Sequence, residues 1–351
     1  MKTGMVLLCL ALFLAGPLLA REKSDVIVMK NGDRITCEIK GLAADTLNIR
    51  VDYILGISSV EWAKVDHVES KQLFIVKTQD GLVYSGTLST PETSGGRPVK
   101  IQILEPSDTK FEIDKSQIIK MDQTSSTIWE RFNGDIGLGV IYSKGNQSTQ
   151  YNLSSSLNYP RERWSASAYY NSTLSSSTGT SPATRNEINL DVERLLRWNN
   201  WYYTGIADFL QSSQQGIQLQ SSIGAGIGRY LVNGNRSTFS LVGGVVWQRI
   251  NYQQVIVPSM TQNAASALIG SEARLFRFNK TNLSVSATLL PSITDSGRVH
   301  FNLNTSYYVK LWSNLTWNVS FYGNWDNRPP PNFSGSDYGS SSGVSWKFGN
   351  R

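Results

Sequence analysis

His300 is the one histidine in the C-terminal two thirds of the chain. A histidine with a serine two residues away on one strand would begin a hydrolase site. The residues that follow at that spacing are Asn302 and Asn304, so a His-x-Ser pair is absent. A nucleophile needs a base within hydrogen-bond reach, and the base needs an orienting partner. Serines are everywhere in this region, and spacing singles out none of them. The reading is a non-enzymatic chain with His300 in a polar network; a hydrolase acting on lipids is the alternative. The other chemistry-bearing residues are charges: Asp135, Glu187, Asp191, Glu193, Asp208, Glu272 and Arg274, which share one parity of alternating segments. Inside a closed sheet such groups either pair or line water. Glu272 and Arg274, two apart on one strand, are placed to pair. The set therefore reads as a structural network or as the wall of a narrow, cation-preferring pore. No catalytic, cofactor-binding or metal-ligating set stands out.

The end of the chain carries a second pattern. Ser341-x-Gly343-x-x-Trp346-x-Phe348 resembles the signal, polar-x-Gly-x-x-aromatic-x-aromatic, that the barrel-assembly machinery reads on a barrel's final strand. It departs from that pattern in carrying Gly349-Asn350-Arg351 beyond the last aromatic.

These residues need a frame, and the frame is alternation. From about residue 131 to the end, apolar residues occupy one parity in segments of roughly ten residues, the length of a tilted strand crossing a bilayer. Ile136, Leu138, Val140 and Tyr142 make one such set; Leu315, Trp317, Val319 and Phe321 make another. The opposite parity is polar, as in Asn152, Ser154, Ser156 and Asn158. About twelve segments are counted, an even number as expected for bacterial barrels. A closed barrel with its apolar face outward satisfies every backbone group in lipid. Connections after even-numbered segments are short and those after odd-numbered ones longer, which assigns short turns to the periplasm and long loops to the outside. Trp164, Trp198, Trp201, Trp312 and Trp346 lie near the short turns, as an interfacial girdle would. Arg161, Arg163, Arg197, Arg236, Arg277, Lys280 and Lys310 sit there too, within reach of headgroups.

The chain has 351 residues, 17% of them charged, and a net charge of +6, too modest to name a partner. Lys2, the apolar run Met5–Ala15 and the break at Gly16-Pro17 read as a signal peptide, residues 1–20. That leaves Cys37 as the only thiol of the mature chain, a small buried apolar residue by this reading. Between the two lies a duplication with a period of about fifty residues. Val26-Ile27-Val28 before Asn31-Gly32 matches Phe74-Ile75-Val76 before Asp80-Gly81, both hairpin signals. Val60–Lys64 matches Phe111–Lys115, and Val65 and Val68 match Ile118 and Ile119. Two small β-barrels are expected, 21–71 and 72–125, each of about five short strands. Their order resembles Sm-like and SH3-like barrels. Many Sm-like barrels bind RNA, but a signal peptide places this pair outside the cytoplasm, so no nucleic acid is expected. Peptidoglycan or a periplasmic protein is the expected partner. His67 reads as a solvated or capped turn residue, and Ser94-Gly95-Gly96 as a loop.

The C-terminal region, 131–351, resembles a family of salt-induced outer-membrane proteins of unknown function. Gly134-Asp135-Ile136-Gly137-Leu138-Gly139 followed by Lys144-Gly145-Asn146 is similar to that family's entry strand and first turn. The resemblance implies location and architecture: an all-β chain with an antiparallel transmembrane β-barrel of about twelve strands, in contact with outer-membrane lipids. It implies no activity or cofactor, and the chain reads as a narrow channel or as a structural, stress-related envelope protein.

Overall fold

The computed structural model describes residues 24–348 apart from 92–98, 106, 125–127, 129–130, 144–147, 162, 178, 180, 197–198, 254–260, 278–279, 313 and 330–333. The signal segment, the Ser94–Gly96 loop, the Lys144–Asn146 turn, Arg197 and Trp198 lie outside the described residues.

The N-terminal module contains β1 (Asp25–Met29), β2 (Arg34–Ala43), β3 (Thr46–Arg50), β4 (Ser58–Glu61), β5 (Val65–Thr78), β6 (Val83–Ser89), β7 (Lys100–Leu104), β8 (Lys110–Asp114) and β9 (Ile118–Gln123). The Asn31-Gly32 and Asp80-Gly81 turns close their hairpins with the glycines at φ +92° and +86°, where a side chain would be strained. Each copy pairs its first strand with its second and its last. In the first copy β1 lies between β2 and the start of β5; in the second, the end of β5 lies between β6 and β9.

The copies are not separate. β2 also pairs with β9 through Gly41↔Asp122 and Leu42↔Met121, and β6 pairs back to the first half of β5 through Ser70↔Leu88. The long strand β5 serves both, so the sheet is continuous. One core is shared: Ile27, Ile39 and Leu47 of the first copy pack in the same buried cluster as Phe74, Ile101 and Ile103 of the second. The 3-10 turns Trp62–Lys64 and Lys115–Gln117 meet where the copies join. Trp62 Nε1 donates to Lys115 O at 3.3 Å, and the Lys115 ammonium sits 4.8 Å from the Trp62 ring centre. These turns reset the alignment of the copies. Trp62 corresponds to Lys115, and Val65 and Val68 correspond to Ile118 and Met121, all four buried, rather than to Ile118 and Ile119. His67 lies within β5 opposite Val28, so it belongs to a ladder and not to a turn.

The barrel consists of β10 (Asn133–Ser143), β11 (Ser148–Pro160), β12 (Trp164–Ser176), β13 (Ala183–Leu195), β14 (Trp201–Ser212), β15 (Ile217–Asn233), β16 (Ser237–Tyr252), β17 (Thr261–Arg277), β18 (Thr281–Pro291), β19 (Val299–Lys310), β20 (Leu315–Asp326) and β21 (Ser336–Phe348). These twelve strands close into one antiparallel ring, and every pairing is between neighbours in the sequence except the seam β10–β21. Leu138, Val245 and Trp346 are 66%, 61% and 57% exposed. A ring whose outward parity is this apolar, with all its edges paired, is built to span a bilayer.

Three of the residues that resemble an assembly signal, Gly343, Trp346 and Phe348, lie in the seam. Gly134 through Gly139 run against Phe348 through Gly343. Gly343 faces Gly139, and a Cβ on it would lie 2.5 Å from the Leu138 carbonyl oxygen, so the strands meet where neither carries bulk. Ser341 Oγ lies 2.6 Å from Ser320 Oγ on the inner face, while Trp346 and Phe348 point outward.

The module sits on the short-turn end of the barrel. Arg236 binds Asp45 at 3.2 Å, Asn235 Nδ2 donates to Ile118 O at 3.2 Å, and Asn200 Nδ2 donates to Gln79 O at 3.0 Å. Arg163, Leu195 and Leu196 share a cavity of about 300 Å³ with Tyr84 and Phe111 of the module. Arg236 and Arg163, assigned to headgroups from their place in the sequence, thus meet protein. Lys310 takes the inward parity, opposite the buried Thr316.

Candidate functional site

The site is the barrel interior. Inward residues form cross-strand rows, because period-two alternation puts every second residue of each strand on the lumen face. One row runs Tyr169, Asn189, Asp208, Ser222, Gln248 across β12 to β16. The next runs Asp191, Ile206, Gly224, Val246, Ser266 across β13 to β17. Together the inner faces enclose a cavity of about 740 Å³, lined from Tyr202 and Glu193 near the short turns to Asp326 and Pro329 near the long loops.

The predicted inward charges all take the lumen parity. Glu272 and Arg274 pair at 2.6 Å, as their spacing implies. Asp135 accepts from Ser156 Oγ at 2.5 Å, and Asp208 accepts from Asn189 Nδ2 at 3.0 Å. Asp191 lies one row below Asp208, across from Ile206. Glu193 accepts from the Tyr230 hydroxyl at 2.9 Å, and the Tyr230 and Tyr202 ring centres lie 5.0 Å apart, tilted by 42°. This Tyr–Tyr–Glu knot lies at the short-turn end.

His300 lies near the long-loop end with Leu290 and Asp326 as its cross-strand neighbours. Its Nδ1 is 3.8 Å from Asp326 Oδ2. That carboxylate is held at 2.7 Å by Arg298, which also donates to the Tyr252 hydroxyl at 3.5 Å. His300 is therefore a member of an Arg–Asp–Tyr network at the mouth.

Two features of the interior have no counterpart in the sequence reading. The first is a pair of chords across the mouth. Arg185 of β13 binds Asp337 of β21, four strands round the ring, at 2.9 Å and Glu187 at 2.9 Å, with its guanidinium 4.7 Å from the Tyr322 ring centre. Arg298 and Tyr252 make the other. The second is apolar. The inward parity of β14 to β18 is not uniformly polar: Val246, Leu268 and Leu290 are buried together, with Ile206 and Val242 against them. Gly224 makes this possible, since a Cβ there would lie 2.7 Å from Val246 Cγ2 and 3.2 Å from Ile206 Cγ1. Long apolar runs such as Leu241–Trp247 carry the signal, but both parities are apolar there and alternation alone does not show which residues turn inward.

In the module the ionisable groups of interest are structural. Asp25 is buried and accepts from Ile39 N at 2.8 Å and Ser70 Oγ at 2.6 Å, tying β1 to β2 and to β5. Burial raises its carboxyl, against those two hydrogen bonds. Cys37 is buried as expected, and burial, with Asp25 and Glu38 adding to it, pushes its thiol up to about 12. Such a thiol is inert. Burial lowers Lys115 to about 8, with Lys30 adding to it. Among the described residues no cluster of three His, Cys, Asp or Glu is placed to hold a metal ion.

A comparison with curated proteins found no match. Among solved structures the chain is similar to the NanC porin, with 13% identity and a TM-score of 0.40, over 61% of this chain and 100% of that one. It is similar to the translocator domain of the autotransporter NalP from Neisseria meningitidis, at 12% identity and a TM-score of 0.35, over 62% and 87%. It is also similar to the COG4313 outer membrane channel from Pseudomonas putida F1, at 9% identity and a TM-score of 0.35, over 62% and 94%. The family model described as "Protein of unknown function, DUF481" matches residues 136–348, the twelve-strand ring almost from end to end, and the chain belongs to that family.

Proposed function

We propose that the protein is a non-enzymatic outer-membrane channel for small cationic solutes, with its N-terminal module in the periplasm. The observation that carries this is the cavity of the lumen and its charge. Asp135, Glu187, Asp191, Glu193, Asp208, Glu272 and Asp326 line it, against Arg185, Arg274 and Arg298. A low-dielectric wall focuses such an excess and raises the local cation concentration. The non-enzymatic reading is supported by the place of His300: it faces the lumen, and its two cross-strand neighbours are Leu290 and Asp326, neither a nucleophile of acyl transfer. In planar bilayers the purified protein is expected to pass current in KCl, with a reversal potential under a salt gradient that shows preference for potassium over chloride. Absence of current sinks the channel; chloride preference sinks the acidic selectivity. Turnover of labelled phospholipid that is lost in His300→Ala would revive the hydrolase alternative.

The closing strand supports a reading of how the barrel reaches its membrane. Trp346 and Phe348 point outward at the short-turn end of β21, Gly343 lies in the seam, and Ser341 pairs with Ser320 of β20. We read these four as the label for the barrel-assembly machinery. Phe348→Ala then lowers the amount of heat-modifiable barrel in the outer membrane, and an unchanged amount refutes it. The module is read as the contact for peptidoglycan or a periplasmic protein. Its exposed Tyr53, Ile54 and Leu55 support that reading, and sedimentation with purified sacculi, wild type against Leu55→Asp, tests it. The link to salt is tested by transcript level with and without added NaCl.

A further inference from the structure

The lumen is not lined evenly, and its two unlike walls meet at one place. Ile206 belongs to the apolar cluster of Val246, Leu268 and Leu290. Its cross-strand partner is Asp191, and Asp208 follows it on the same face of β14. Two carboxylates therefore border the apolar patch. Among the described residues no cation lies within ion-pair distance of either: Arg274 is held by Glu272, Arg185 by Glu187 and Asp337, and Arg298 by Asp326. A third group points the same way. Gln248 is 2% exposed, on the row of Asp208 and Ser222. The side chain lines the same cavity; its Nε2 donates to Ser222 Oγ at 3.3 Å, and its Oε1, sealed from solvent, has no donor among the described residues. A buried acceptor left without a donor is costly, so a water or a ligand N–H is favoured beside it.

These groups specify a ligand by chemistry. Two carboxylates without a cation ask for positive charge, the amide oxygen without a donor asks for an N–H, and the patch beside them asks for an apolar body. We propose that this part of the lumen is a binding site for amphiphilic organic cations, protonated primary amines carrying an alkyl or aryl group. The inference rests on the reading of the lumen as accessible to solutes, and it names the class of solute. A bare metal ion would leave the apolar wall and its shape unused; a neutral alcohol would leave the carboxylates unpaired.

The test uses the full chain in nanodiscs, with empty nanodiscs as the blank for partitioning, and benzylammonium as the probe. Calorimetric titration is expected to show saturable binding, at least tenfold tighter than ammonium or potassium measured by competition, with benzyl alcohol failing to compete. Asp191→Asn with Asp208→Asn, which keeps shape and removes charge, weakens benzylammonium at least tenfold in a barrel that remains heat-modifiable. Gln248→Met weakens it about threefold, a loss too small to come from charge. Equal competition by potassium overturns the proposal in favour of a plain cation pore, and unchanged binding in the double Asn variant overturns it outright. Bilayer current measured on the same preparations separates the two readings. Binding without current keeps the site and removes the channel; current without binding keeps the channel and removes the site.

Discussion

The module and the barrel are written in the same period-two pattern and bury it in opposite directions. In the module Ile27, Ile39, Phe74 and Ile103 are sealed from solvent and the polar parity faces out. In the barrel Leu138, Val245 and Ile269 are on the outside and the serines and asparagines are within. Water accepts backbone edges and polar surface, so a small sheet folds over a core of its own side chains. Lipid accepts neither, so a larger sheet closes on itself and turns its polar parity inward. The pattern alone does not decide between these; the segment length and the Ser/Asn content of the second parity do.

The sharpest way to break the comparison is to remove bulk from the module. Phe74 is fully buried on the strand that serves both copies. Phe74→Ala is expected to cost about 3–5 kcal/mol through lost transfer energy and a cavity. Because the core is shared, both copies should open together while the barrel stays closed. Pulse labelling of Cys37 in urea, read on its own peptide by mass spectrometry, reports the module; heat-modifiability on gels reports the barrel. Opening of the second copy with Cys37 still protected would show two cores after all.

The opposite substitution tests the barrel. Val245 lies midway along β16 on the outer face. Val245→Arg is expected to cost about 2–4 kcal/mol, the cost of a cation near the bilayer midplane. The same change at an outward module position such as Glu112 should fall within about 0.5 kcal/mol. Equal costs at the two sites would mean that Val245 does not face hydrocarbon.

How much of this was legible follows from the same contrast. The twelve strands were, because lipid requires each to alternate on its own, without reference to its neighbours. Glu272 with Arg274 was, because two residues apart on one strand means one face. The pair Arg185–Asp337 was not: its members are 152 residues apart, and only ring closure brings them together. Nor was the fusion of the module. The pairing Gly41↔Asp122 joins residues whose local sequence already completes a strand within its own copy. The apolar patch escaped for a third reason. Val242 and Val246 share strand β16 with Leu241, Val245 and Trp247, and with both parities apolar no rule of alternation says which set turns inward.

A smaller effect reads the module's interior through pH. Lys115 is buried, donates to Val65 O and is lowered to about 8 by burial, from 10.5. Below pH 8 the ammonium is present in both folded and unfolded chains and its desolvation weighs against the fold. Between 8 and 10.5 the unfolded chain still holds the proton that the folded chain has released, so stability rises with pH; above 10.5 the gain is complete. The rise is expected to be on the order of 1–3 kcal/mol, and Lys115→Met should flatten it. Urea midpoints from Cys37 labelling at pH 7 and pH 9, pulsed at one common pH, give the answer, because above pH 9 the unfolded chain's Cys37 thiol ionises and lowers stability in the opposite direction. A midpoint that falls over this range in the wild type, or rises equally in the Met variant, removes Lys115 as the cause. No such rise is expected in the barrel's own heat-modifiability, since the barrel does not contain the group.

The smallest effect concerns the join between the two regions. Arg236 reaches Asp45 at 3.2 Å but is largely exposed, and an ion pair of that kind contributes about 0.2–1 kcal/mol. Arg236→Ala should therefore leave both the module and the ring intact and still loosen the docking. Asn200 and Asn235 remain to hold Gln79 O and Ile118 O, so the loss is partial. Two spin labels, one on the module at Lys110 and one on the outer face of the barrel at Leu275, would show a single sharp distance in the wild type. Arg236→Ala should broaden it, and added salt should broaden the wild type in the same direction, because an exposed pair is screened. A distribution that is broad already in the wild type would mean that the module is tethered by its linker alone. A distribution that stays sharp in the variant at high salt would assign the docking to the asparagine hydrogen bonds and to the packing of Tyr84 and Phe111 near Leu195 and Leu196.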